Sequence, residues 1–112
     1  MRILVADDDA DIRRFAARAL EAQGHTVETV ADGAELLRLA GVVKPDLILS
    51  DVDMPRCDGI TACRWLRRAL PETRFLLMTG SLDSAAAAER DGFPRVLRKP
   101  FELERLRDML SP

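Results

Sequence analysis

The chain has 112 residues, 47% of them hydrophobic and 32% charged, which suits one globular domain around a single core and excludes a disordered or fibrous chain. Its 17 basic and 19 acidic residues leave a formal charge of −2, so the chain lacks the strongly basic face on which nucleic-acid binding rests. No apolar run approaches the roughly 18 residues of a membrane span, and the two cysteines, Cys57 and Cys63, fit neither a disulfide framework nor a metal-binding or redox pair. A reducing, cytoplasmic setting away from membranes is the expectation.

Short apolar runs alternate with longer amphipathic ones, the pattern of βα units around a parallel sheet. Ile3 to Ala6 is continuously apolar and reads as a first strand buried on both faces. Ile12, Phe15, Ala16, Ala19 and Leu20 recur at helical spacing, with Asp9 or Asp11 able to cap the start and Gly24 the end. Thr26 to Val30 is a more polar second strand. Ala34 to Val43 is a second helix that has to stop before Pro45.

Leu47 to Ser50 forms the third strand, and the polar, turn-rich stretch from Asp51 to Gly59 leads into a third helix, Ile60 to Leu70, closed by Pro71. Phe75 to Met78 is the fourth strand. Ser84 to Arg90, with four consecutive alanines, is a short fourth helix ended by Gly92, and Val96 to Arg98 is the fifth strand. Lys99-Pro100 turns the chain into a last helix whose Leu103, Leu106, Met109 and Leu110 form a core-facing stripe. The expectation is a doubly wound α/β fold with five parallel strands, occupying residues 1–112 as one domain.

Right-handed crossovers bring the C-terminal ends of parallel strands to one sheet edge, where open α/β sheets bind ligands. Asp7, Asp8 and Asp9 follow the first strand, Asp51 the third, Thr79 the fourth and Lys99 the fifth. Carboxylates from Asp7, Asp8 and Asp51 gathered there repel one another unless a hard, oxygen-preferring cation sits among them. Mg²⁺ meets that need with one or two carboxylates, water and a phosphate oxygen, whereas Ca²⁺ wants more ligands. Beside such an ion, Asp51 can act as a nucleophile toward phosphorus. Lys99 and Thr79 then contact the charge on the transferring oxygens.

The whole chain from Met1 to Leu110 resembles the receiver domain of two-component response regulators. Four motifs carry the resemblance in order: Ile3-Leu4-Val5-Ala6-Asp7-Asp8-Asp9, Pro45-Asp46-Leu47-Ile48-Leu49-Ser50-Asp51, Met54-Pro55-x-x-Asp58-Gly59 and Lys99-Pro100-Phe101. Thr79-Gly80 lies where the family has Thr or Ser before a small residue. The resemblance implies that Asp51 is the phospho-acceptor, that Asp7 and Asp8 ligate the metal, and that Thr79 and Lys99 contact the phosphoryl group. It also implies the flavodoxin-like strand order 2-1-3-4-5, that the backbone carbonyl of Asp53 completes the metal shell and that the Lys99-Pro100 bond is cis. The implied donor is a histidine kinase or histidine phosphotransfer protein, and the implied output is altered contact with a further, unspecified protein.

Two departures from the family pattern stand out. Val96 occupies the position, three residues before the lysine, where receivers of the transcriptional type usually carry the Tyr or Phe of the aromatic switch. Phe93-Pro94 replaces the small or acidic residues usual between the fourth helix and the fifth strand. A stiffened connection and a readout through backbone and loop shifts, or through the phosphate itself, are the expectation.

A rival reading takes Asp51-x-Asp53 as the nucleophile and acid/base pair of a haloacid-dehalogenase-type phosphatase. Such an enzyme needs further acidic metal ligands after the lysine and a larger body around its substrate, and neither is present up to Pro112. Asp53 is then expected to tune hydrolysis of the aspartyl-phosphate. His25, at the opposite edge, reads as a surface or half-buried residue. Cys57 and Cys63 read as small buried hydrophobes, Trp65 as a packing or surface-covering residue, and the arginines from Arg95 to Arg107 as a solvated face. Starting at Met1 and stopping after the last helix, the chain reads either as a stand-alone receiver or as the N-terminal domain of a longer protein.

Overall fold

The computed structural model describes residues 1–93 and 95–110. Its elements run β1 (Arg2–Ala6), α1 (Ala10–Glu21), β2 (Thr26–Val30), α2 (Gly33–Val43), β3 (Leu47–Asp51), α3 (Gly59–Ala69), β4 (Arg74–Thr79), α4 (Leu82–Arg90), β5 (Val96–Arg98) and α5 (Leu103–Leu110). The strands form one parallel sheet, as the alternation in the sequence predicts, in the order β2-β1-β3-β4-β5 that the receiver resemblance implies.

Successive side chains on a strand point to opposite faces, so the continuous apolar runs of the central strands split into two cores. Ile3, Val5, Leu47, Leu49, Leu76 and Met78 face α1 and α5, where Leu20, Leu106 and Met109 meet them. Leu4, Ala6, Ile48 and Leu77 face the other way, toward Leu36 and Ala40 of α2, Ala62, Cys63 and Leu66 of α3, and Ala88 of α4. The edge strand β2 is only partly covered, which accounts for its polar composition.

Helix starts are set by side chains at the C-terminal sheet edge that accept otherwise unpaired backbone N–H groups. Asp9, rather than Asp11, caps α1 by accepting from Asp11 N and Ile12 N. Asp32 caps α2, Asp58 caps α3 and Ser81 caps α4. The Ser81 cap starts α4 two residues before the alanine-rich stretch that marks it in the sequence. At the far end of α2, Lys44 takes a left-handed conformation (φ 49°), which ends the helix ahead of Pro45. Gly24, at φ 93°, reverses the chain after α1.

The connection after α4 also differs from a plain loop. Phe93 is buried, meets Phe75 edge-on with ring centroids 6.3 Å apart, and carries the Arg67 guanidinium over its face at 4.4 Å. Arg64 and Arg67 both reach Asp91, tying α3 to the end of α4. Pro94, on which part of the stiffening expectation rests, lies outside the described residues. Trp65 projects from α3 and is 65% exposed, so it covers surface rather than filling a core.

Candidate phosphoryl-accepting site

Asp51 is the last residue of β3 and Thr79 the last of β4, each one residue beyond the apolar run that marks its strand. Asp7 and Asp8 follow β1, and Lys99 follows β5. Parallel pairing of β1 with β3, β3 with β4 and β4 with β5 brings these ends together. One carboxylate oxygen from each of Asp7, Asp8 and Asp51 lies within 4.8 Å of the other two. Asp7 and Asp51 are buried and Asp8 is exposed, so the cluster opens to solvent on one side. Asp9 is not part of it: its side chain is used in capping α1.

The Lys99 ammonium stands 2.6 Å from Asp7 Oδ2 and 3.3 Å from Asp51 Oδ1. Burial alone would lower the lysine pKa, but the hydrogen bond to Asp7 and the charge of Asp51 outweigh it, and the pKa is raised. The Asp51 carboxyl is pushed up to about 6, first by burial and then by the charge of Asp7, with Lys99 opposing. Asp7 is further held by the Asp9 N–H at 2.9 Å on its side chain and by Arg13 Nη1 at 2.7 Å on its carbonyl.

Ionised, the three carboxylates bring three negative charges against the one positive charge of Lys99, an excess of two. All their donor atoms are oxygens. A hard divalent cation fits both the charge and the donor set.

The loop from Val52 to Asp58 is pinned from several sides. Val52 N donates to Met78 O, and Gly59 N donates to Val52 O. Glycine is required at 59 because a Cβ there would lie 2.0 Å from the Asp51 carbonyl oxygen. Arg56, at φ 67°, reaches back with Nη2 to Asp32 Oδ2 at 2.5 Å, joining this loop to the start of α2. Asp53 is exposed and points at β4: Thr79 Oγ1 donates to its Oδ2 at 3.2 Å, and Ser84 Oγ lies 3.1 Å from both of its carboxylate oxygens. The Lys99-Pro100 peptide is cis, as the motif implies.

Sequence reasoning missed Arg13, the Arg56–Asp32 pair and Ser84. Arg56 fills an unspecified position of its motif and the others sit in none; Arg13 turns back onto the Asp7 carbonyl of its own connection, while the Arg56 and Ser84 contacts are found only when two βα connections are seen side by side.

Against known families, residues 3–111 match the model of the response regulator receiver domain. The chain belongs to that family. Its receiver fold is shared with the Vibrio cholerae chemotaxis protein CheY4, at 33% identity and a TM-score of 0.87 over 97% of this chain and 94% of that one. The receiver domain of NtrX from Brucella abortus is similar at 30% identity and a TM-score of 0.87, over 96% of this chain and 92% of that one. Response regulator MprA of Mycobacterium ulcerans is 40% identical over 108 residues, covering 95% of this receiver and 47% of that protein. The chain thus spans about half the length of the curated relatives it matches. A receiver domain is a regulatory switch, and the phosphatase reading of Asp51 and Asp53 finds no support in these matches.

The remaining candidates lie away from the cluster. His25 is half-buried at the opposite edge, with Nδ1 2.9 Å from the N-terminal amine. Cys63 is fully buried, its thiol pushed up to about 12 by that burial, and Cys57 is half-buried. Val96 packs at the rim of the core under α3 and α4. Among the described residues, no helix is long and apolar enough to cross a membrane.

Proposed function

We propose that Asp51 accepts a phosphoryl group from a histidine kinase or histidine phosphotransfer protein, and that the modified receiver changes its contacts with a downstream protein. The observation that carries this reading is the cluster of Asp7, Asp8 and Asp51 around one lysine at the C-terminal sheet edge. An Asp51 oxygen attacks phosphorus as the phosphorus–nitrogen bond of the donor breaks. The histidine nitrogen leaves with the electron pair, and a mixed anhydride remains on Asp51.

The transferring phosphoryl group spreads charge over its oxygens, and the residues around Asp51 are placed to receive it. Lys99, already 3.3 Å from Asp51, pairs with one oxygen as a compact point charge. Thr79 donates its hydroxyl to another. Asp7, Asp8, Asp51 and the backbone carbonyl of Asp53 would hold Mg²⁺. Bound there, the ion would offset charge on a phosphoryl oxygen and lower the pKa of Asp51 toward its nucleophilic form.

In this reading the domain catalyses only its own phosphorylation and dephosphorylation, the latter by admitting water to the same phosphorus, with Asp53 setting how fast. It works in the cytoplasm, where its donors are found.

Incubation with Mg²⁺ and a small acyl phosphate, followed by intact-mass measurement, tests the proposal. The wild-type chain gains one phosphoryl group and Asp51→Asn gains none. An unmodified wild type would contradict the reading, as would repeated turnover of a phosphomonoester.

A further inference from the structure

The hydroxyl of Thr79 is fully buried and both its roles are taken. It accepts from Ser81 N at 3.1 Å, which leaves its single proton directed to Asp53 Oδ2 at 3.2 Å. One proton cannot serve Asp53 and a phosphoryl oxygen at the same time, so Thr79 has to leave Asp53 before it contacts a phosphorylated Asp51.

Asp53 in turn is held from α4. Ser84 Oγ lies 3.1 Å from each carboxylate oxygen, and the Ser84 N–H is itself bonded to the capping Ser81 Oγ at 3.2 Å. The first turn of α4, the Asp53 carboxylate and the Thr79 hydroxyl therefore form one hydrogen-bonded chain. The usual aromatic route from the threonine to the output surface is lacking here, because Val96 stands at its position.

We propose that Ser84 is a positioning residue for Asp53 and Thr79, and that the Thr79–Asp53–Ser84 chain both latches the unmodified state and carries phosphorylation of Asp51 to α4. This rests on the phosphoryl-accepting role of Asp51. When Thr79 turns to the phosphoryl group, Asp53 loses one of its two side-chain donors among the described residues. The carboxylate, now facing a more negative neighbour, moves and takes the first turn of α4 with it.

The test is backbone amide NMR of the full chain before and after modification by a small acyl phosphate with Mg²⁺, with intact mass read on the same samples. In the wild type, amides of residues 82–90 shift on phosphorylation together with that of Thr79. In Ser84→Ala the Thr79 amide still shifts, while the shifts across α4 fall to less than about half. Ser84→Thr, which keeps the hydroxyl, restores them. An α4 response in Ser84→Ala equal to that of the wild type would overturn the inference. So would a Ser84→Thr variant as unresponsive as Ser84→Ala, which would assign the loss to general disturbance of the helix. A wild type without added mass removes the switch function and the latch together, whereas added mass with an unmoved α4 removes the latch alone.

Discussion

Asp51 is 5% exposed and shares its pocket with Asp7, so ionising it in the folded chain is harder than in the unfolded one. Its folded pKa of about 6 lies above the ordinary value of 3.8. Between those two values the folded state binds the proton more tightly, so stability falls as pH rises through that window and stays reduced above it. Asp51→Asn removes the penalty. Its melting temperature should exceed that of the wild type above pH 6, corresponding to a gain on the order of 2 kcal/mol, and the difference should fade below pH 4. Thermal melts of both proteins across this range check the sign. Millimolar Mg²⁺ should stabilise the wild type at pH 7.5 and do little for Asp51→Asn, because a ligand stabilises only the state that binds it. A wild type more stable than Asp51→Asn at pH 7.5 without Mg²⁺ would contradict this account of the buried charge.

At the scale of elements, the β3–α3 connection holds the site in shape, and Gly59 is the close approach nearest Asp51. The Cβ added by Gly59→Ala would meet the Asp51 backbone, which cannot yield without moving the Asp51 carboxylate. A loss of about 2 kcal/mol and slower phosphorylation are expected. Gly41→Ala, inside α2 with open space around it, is the contrasting case and should gain up to about 1 kcal/mol. Denaturant titrations of the two variants separate close packing from helix propensity; equal effects would refute the steric explanation. The sequence marks the Asp58-Gly59 pair as part of a motif, yet the reason for the glycine becomes visible only across the turn. The fourth helix is a similar case. Its alanine run identifies the helix, but its true start depends on Ser81 folding back onto Ser84 N.

For the whole molecule, most of the architecture was legible before any coordinates. Parallel strands buried on both faces leave continuous apolar runs, and these place Asp7, Asp51, Thr79 and Lys99 at strand ends. The order 2-1-3-4-5 is not fixed by the succession of βα units, which other orders share; the resemblance to receiver domains implies it. Contacts between neighbouring connections were not: Arg56 reaches Asp32 across 24 positions and Ser84 reaches Asp53 across 31, with no periodicity to announce either. Phe93, which departs from the family pattern, proves to be a core residue that seats α3 against α4. The central claim is that this edge delivers a phosphoryl group to one carboxylate among several. The most direct measurement is to phosphorylate the chain from a histidine-phosphorylated donor, reduce the acyl phosphate with borohydride and map the resulting homoserine by peptide sequencing. Homoserine in place of Asp51 alone is the predicted result. Its appearance in place of Asp7, Asp8 or Asp53, or nowhere in a chain that has been exposed to an active donor, would contradict the account.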